Sequence, residues 1–164
     1  MTRNVRLALV FAALAVVCGG AVCFAAARIM PALLGLDCTP ATTASVSPVY
    51  TDRTTVTRLF PRLGPFADAH WQIREARPRT CPDIGPMDLV TEGSVTLGAQ
   101  TAAVYRGGYP WAPVASLEIP AALREFVPAG ASWVHSREFD AAIGPGRFYA
   151  DTGSATLYFV HHSI

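Results

Sequence analysis

Residues 7–27 read LALVFAALAVVCGGAVCFAAA, twenty-one positions without a charge, with Arg3 and Arg6 before them and Arg28 after. As a helix rising about 1.5 Å per residue, the stretch reaches about 31 Å, the depth of a bilayer's hydrocarbon core. A chain with such a segment either places the rest of its mass on one side of a membrane or loses the segment by cleavage. That choice precedes every other reading of the sequence.

A cleaved signal peptide has a basic start, an apolar region of about 7–15 residues and a small-residue cleavage site. Arg3 and Arg6 supply the start, and Ala25-Ala26-Ala27 offers a site. The apolar run is longer than that, however, and Ile29-Met30-Pro31-Ala32-Leu33-Leu34 continues it past the cut. Lipid attachment is excluded by the neighbours of the cysteines: Val17 precedes Cys18, Val22 precedes Cys23 and Asp37 precedes Cys38, where a small residue is needed. An uncleaved signal-anchor fits best, with a cleaved signal as the alternative. Two arginines before the span against one after it keep the amino terminus in the cytoplasm and place the carboxy-terminal domain outside. Ala15, Gly19, Cys23 and Ala27 form a small-residue stripe that suits close helix approach, although an alanine-rich segment produces such spacing by chance. No Asp, Glu, His or Arg lies within the span, so it offers no intramembrane proton or ion site.

The sequence then divides into a cytoplasmic tip with the anchor (1–36), a Thr/Ser/Pro-rich tether (37–57) and an extracytoplasmic domain (58–164). The tether, DCTPATTASVSPVYTDRTTVT, holds seven threonines, two serines and two prolines, a breaker-rich composition that makes a spacer. A short helix is conceivable from Thr51. Cys38 and Cys81 are the two cysteines outside the span, and an extracytoplasmic location favours bridging them. Closing that loop of about 44 residues stabilises by roughly 4 kcal/mol in the chain-entropy account. Two unrelated thiols are the alternative.

Charge bears on partners. Beyond residue 36 there are ten arginines and twelve acids, and lysine is absent throughout. A domain at 10 − 12 = −2 has no electrostatic footprint for nucleic acid. The mean hydropathy of +0.31 belongs largely to the membrane segment.

Within the domain, Ala69–Ala76 alternates, with Trp71 and Ile73 on one face and His70, Gln72 and Arg74 on a solvated one. Asp88–Leu97 is a second strand with Leu89, Thr91, Val95 and Leu97 inward, and Gly93 weakens it or marks a bulge. Ala99–Arg106 reads as a short helix stopped by Gly107-Gly108, turning Leu97, Thr101, Val104 and Tyr105 to the core. Pro120 opens a small helix with Leu123, Phe126 and Val127 on its apolar face. Trp133–His135 is a short strand, and Ser136 caps a helical turn over Arg137–Ala142 that Gly144-Pro145-Gly146 ends. Arg147–Ala150 and Thr156–His162 form a closing hairpin, with Gly153 available for positive φ in its loop. Strands and short helices without a βαβ rhythm predict an α+β fold: one N-terminal transmembrane helix, then a small antiparallel sheet with short helices.

The stretches IPAALREFVPAGASWVHSREFD and GRFYADTGSATLYFV, within roughly residues 117–160, resemble small single-pass envelope proteins of high-GC Gram-positive bacteria. Abundant Ala, Arg, Gly and Pro agree with such a genome. Those proteins have no assigned activity, so the resemblance implies no catalytic or binding residue.

No stretch carries a chemical signature. His161 and His162 are adjacent on a strand and point to opposite faces. His135 with Glu138 or Asp140 offers ligands only if the fold gathers them, and neither HExxH nor CxxC occurs. Glu138 and Asp140 read as a solvated edge, and Ser154 as a turn residue. No G-x-S-x-G elbow occurs, and Gly144-Pro145-Gly146 lacks the lysine of a phosphate loop. Catalytic residues, metal ligands and cofactors are therefore not assigned. Tyr105, Tyr109 and Trp111 around Gly107-Gly108 are the one aromatic cluster that suits a partner surface, with a core lid as the competing reading. The sequence thus points to a non-enzymatic binding or accessory protein of the bacterial cell membrane. It would contact the bilayer through residues 7–27 and an envelope protein through its outer domain. The alternative is a small secreted or anchored hydrolase or metal-dependent enzyme.

Overall fold

The period-two stretches pair into a single sheet. In the computed structural model, which describes residues 41–80 and 86–163, the strands are β1 (Phe66–Glu75), β2 (Leu89–Leu97), β3 (Ala112–Pro113), β4 (Trp133–His135), β5 (Arg147–Asp151) and β6 (Thr156–Ser163). They lie in the order β1-β2-β6-β5-β4-β3, and each neighbouring pair is antiparallel. Around them sit α1 (Arg53–Leu59), α2 (Ala99–Gly108), α3 (Arg137–Ile143) and a 3-10 helix, η1 (Ala121–Phe126). The expected α+β class with a small antiparallel sheet is what forms. The anchor expected at 7–27 and the bridge expected between Cys38 and Cys81 lie outside the described residues. Among the described residues no helix is long and apolar enough to cross a membrane.

Local chemistry sets the element ends. The Asp52 carboxylate accepts from the amides of Thr54 and Thr55 at 3.0 and 2.9 Å and starts α1. Hydrogen bonds from Thr55, then Thr54, hold that carboxyl below its usual range. The Ser136 hydroxyl accepts from the Phe139 amide at 3.3 Å and starts α3, which Gly144 ends at φ 142°.

Register sorts the sheet into two faces. The row Trp71–Gly93–Phe159–Phe148 and the row Ala69–Val95–Leu157–Ala150 point one way. Val56, Phe60 and Leu63 from α1 and its following turn, Ala102 from α2, and Phe139 and Ile143 from α3 close over them as the core. Phe60 packs edge-on to Phe148 and Phe159, with ring centres 4.9 and 5.1 Å apart. The row His70–Ser94–Tyr158–Tyr149–His135 points the other way. Over that second face runs the chain that contains η1: the Ser94 hydroxyl donates to the Phe126 carbonyl, and His70 stacks on Phe126 at 3.8 Å.

Several expectations change for identifiable reasons. His70 is stacked and Gln72 is buried at 1% exposure, because η1 roofs the face expected to be solvated. Pairing runs regularly through Gly93, and the irregularity lies instead at Phe66–Asp68. Gly93 is required by space: a Cβ there would come within 2.3 Å of the His70 carbonyl oxygen and 2.6 Å of the Trp71 Cβ. α2 continues through Gly107 and Gly108, and Val104 faces solvent at 64% exposure while Ala102 takes the core position. The closing loop does not use Gly153 for positive φ. The Asp151 side chain organises it instead, accepting from the Gly153 and Ser154 amides, and ties it to the Ser132 amide at 2.8 Å.

The Thr/Ser-rich tract is also more than a spacer from 42 onward. Ser47 and Tyr50 donate their amides to the carbonyls of Ile73 and Trp71 at 2.8 and 2.7 Å, and Ser45 accepts from Glu75. The Ser47 hydroxyl accepts from the Ile73 amide at 2.9 Å. Residues 45–50 thereby cover the free edge of β1, and Val56 and Phe60 belong to the core. The compact unit that holds the sheet takes in residues 42–57.

Candidate functional site

On the roofed face, neighbouring strands bring four polar side chains together. Pairing sets Gln72 beside Glu92 and Arg74 one step along the same face, while β6 places Tyr158 across from Ser94. The Glu92 carboxylate, 3% exposed, accepts from Arg74 Nε at 2.9 Å, Gln72 Nε2 at 3.2 Å and the Tyr158 hydroxyl at 3.2 Å. Three donors, one of them cationic, offset the cost of burying this carboxylate. Burial, reinforced by the neighbouring Glu92 charge, pushes the Tyr158 phenol well above its usual range, so it stays a donor throughout the physiological span. Gln72 Oε1, by contrast, is buried with no hydrogen-bond partner among the described residues.

The roof leaves room beside this network. A cavity of about 950 Å³ opens between the sheet and the 116–124 segment, with Arg74, Glu92, Glu118, Arg124, Tyr149 and Val160 among its walls. Its volume lies within the range of small-molecule sites, in the form of an open cleft rather than an enclosed pocket. Arg124 donates through Nε to the Ile119 carbonyl at 3.0 Å, which fixes the guanidinium against its own turn. The site combines two arginines, two glutamates, a phenol and aliphatic side chains.

The aromatic cluster expected as a partner surface folds largely inward. Tyr105, Tyr109 and Trp111 surround the fully buried Phe139, at ring distances of 4.8, 5.0 and 5.1 Å. The Tyr105 hydroxyl donates to the Leu63 carbonyl at 2.6 Å, and Trp111 Nε1 donates to the Tyr105 carbonyl at 3.0 Å. Burial, then the neighbouring Tyr109, raises the Tyr105 phenol. The three rings are a half-buried lid on the core, with their polar tips bonded to backbone.

The histidines do not assemble as a site. His135 Nε2 meets Asp140 Oδ2 at 2.7 Å, while Asp140 Oδ1 accepts from the Phe148 amide at 2.9 Å. Asp140 is thus a tie between β4 and β5 rather than a solvated edge. His161 lies on the opposite, core-side face, where it meets the Pro145 carbonyl and the ring of Phe60. Among the described residues no three metal-ligating side chains converge.

Sequence reasoning passed over Arg74, Glu92, Gln72 and Tyr158 as a set. One signal for them was present: η1 carries Leu123 and Phe126 on one side, and an apolar helix face of that kind needs a surface to cover. The polar side of β1 and β2 is that surface. No family model matches the chain, and no match was found among curated proteins or solved structures.

Proposed function

We propose that this chain is a membrane-anchored extracytoplasmic binding or accessory protein of the bacterial cell envelope, in line with the small single-pass envelope proteins that its 117–160 region resembles. The anchor at residues 7–27 holds it to the bilayer, and the α+β domain carries the binding function. The observation that supports a binding role is the cavity beside Arg74 and Glu92, roofed by a segment whose removal would expose a buried carboxylate. Under its roof the sheet keeps ionised and amide groups, whose burial is costly unless they are bonded.

The test uses the native host. Spheroplasts of cells making the full chain are treated with external protease, and membranes are analysed by intact mass before and after reduction. The expected result is an intact chain in the membrane fraction whose 42–163 portion is degraded from outside. Protection of that portion in intact spheroplasts, or a chain found only in the soluble cytoplasmic fraction, overturns the proposal.

A further inference from the structure

The 950 Å³ cavity has a neighbour. A second cavity of about 370 Å³ lies at the ends of β5 and β6, between Pro145, Gly146, Arg147, His161 and His162, and it shares Tyr149 and Val160 as walls with the first. Arg147 pairs with Val160 across β5 and β6, so the shared wall is a continuous piece of sheet. The two adjoin as a groove at the β5–β6 end of the sheet, with Tyr149, Val160 and Arg147 on the roofed face and His161 reaching it from the core side.

Its charge runs against that of the domain. The groove holds Arg74, Arg124 and Arg147 against Glu92 and Glu118, a local 3 − 2 = +1 with its histidines neutral, in a chain whose residues beyond 36 sum to −2. Glu92 is already shared among Arg74, Gln72 and Tyr158. That leaves Glu118 alone to balance Arg124 and Arg147, neither of which forms an ion pair among the described residues. The guanidinium geometry adds direction. Arg74 spends Nε on the buried Glu92 and Arg124 spends Nε on the Ile119 carbonyl of its own exposed turn, and no bond from their terminal nitrogens is present among the described residues. A guanidinium fixed this way offers its terminal edge to a planar or tetrahedral anion with little further ordering cost.

We propose that this groove binds a small organic anion through a phosphate or carboxylate group, with Arg74, Arg124 and Arg147 as the anion-holding residues and Tyr149 as the wall between two subsites. The inference rests on the binding role proposed above and gives that role a ligand chemistry. A soluble phosphorylated or carboxylated compound and an anionic lipid headgroup share this chemistry.

The probe is inorganic pyrophosphate, added at low salt to the full chain in phosphatidylcholine nanodiscs while the Arg Nε–H signals are followed by NMR. Saturable shifts are expected at Arg74, Arg124 and Arg147. Arg124→Gln and Arg147→Gln each raise the dissociation constant at least fivefold, and Arg58→Gln on α1 leaves it unchanged. Thermal midpoints close to that of the parent chain show that each variant is folded. Absence of saturable shifts overturns the proposal, as does an unchanged constant in both groove variants or an equal loss in Arg58→Gln, which would mean diffuse surface attraction. Repeating the titration in discs containing phosphatidylglycerol separates the sources. Loss of the pyrophosphate shifts there assigns a lipid headgroup as the occupant, and their retention assigns a soluble anion. A chain that fails the protease test can still pass this one, and the reverse also holds.

Discussion

The two faces of the sheet are roofed by different means. The core face is covered by three helices and the turn after α1, which bring Val56, Phe60, Ala102, Phe139 and Ile143 onto Trp71, Phe148 and Phe159. The other face is covered by irregular chain with a single 3-10 helix, and beneath it lie Gln72, Glu92, Ser94 and Tyr158. Both are buried, but their energies differ in kind. Apolar burial stabilises in proportion to the area removed from water, whereas a buried polar network returns little net stability even when it is well bonded. Stability therefore resides mainly on the first face. The second is free to serve another purpose.

The widest gap between the faces should appear at Phe139. This ring is fully buried and in contact with Tyr105, Tyr109, Trp111 and Phe148. Phe139→Ala is expected to cost about 4 kcal/mol in urea unfolding, in the range for a large aromatic cavity. A loss under about 1 kcal/mol would mean that the aromatic lid does not belong to the core.

A pair of substitutions on the opposite face sharpens the contrast. Glu92→Gln keeps the volume but removes the charge that Arg74 neutralises, and a loss of about 1–2 kcal/mol is expected. Gln72→Leu gives up the bond to Glu92 and at the same time removes the unpartnered Oε1, so its stability should stay within about 1 kcal/mol of the parent. If Gln72→Leu costs as much as Phe139→Ala, the network is structural and the contrast collapses.

The smallest effect concerns the loop that closes the β5–β6 hairpin. Burial alone would raise the Asp151 carboxyl, but bonds from the Ser154 hydroxyl and the amides of Ser132, Gly153 and Ser154 hold it below its ordinary 3.8. A lowered folded-state value means that its stabilisation is complete above the unfolded value and is lost as pH falls through the folded one. Asp151→Asn should cost about 1 kcal/mol at neutral pH and flatten the acid limb of stability below about pH 5. Urea midpoints across that range provide the check. Glu75, held low by the Ser45 amide and then Arg79, and Asp52 at the start of α1 act in the same direction.

The sequence made the core face readable because its signals are local. Trp71 and Ile73 alternate with polar neighbours, Ser136 sits where a cap is needed, and Gly144-Pro145-Gly146 stops a helix. The polar face resisted because alternation shows only which residues lie opposite the core, not whether distant chain covers them. His70 and Gln72 look solvated until η1, some fifty residues later, is laid over them. Arg74 and Glu92 meet only through strand register, and Tyr158 reaches them from sixty-six residues beyond Glu92. The edge-covering role of Ser45 and Ser47 was hidden for a related reason: serine and threonine mark a loop equally well whether their hydroxyls face water or a strand edge.

That edge segment also has a mechanical consequence. Residues 45–50 run antiparallel to β1, and the end nearer the amino terminus bonds at Glu75. A pull that lifts the amino-terminal end away from β1 loads these bonds one after another, as in opening a zip. The Ser45, Ser47 and Tyr50 contacts should release in that order, ahead of any change in the Phe60–Phe148 packing. With the chain held by the proposed anchor, freeing residues 42–50 would add roughly 30 Å of extended chain between membrane and domain. The domain would then have two working radii, a short one with the edge closed and a long one with it open, and the folded core would be the same in both.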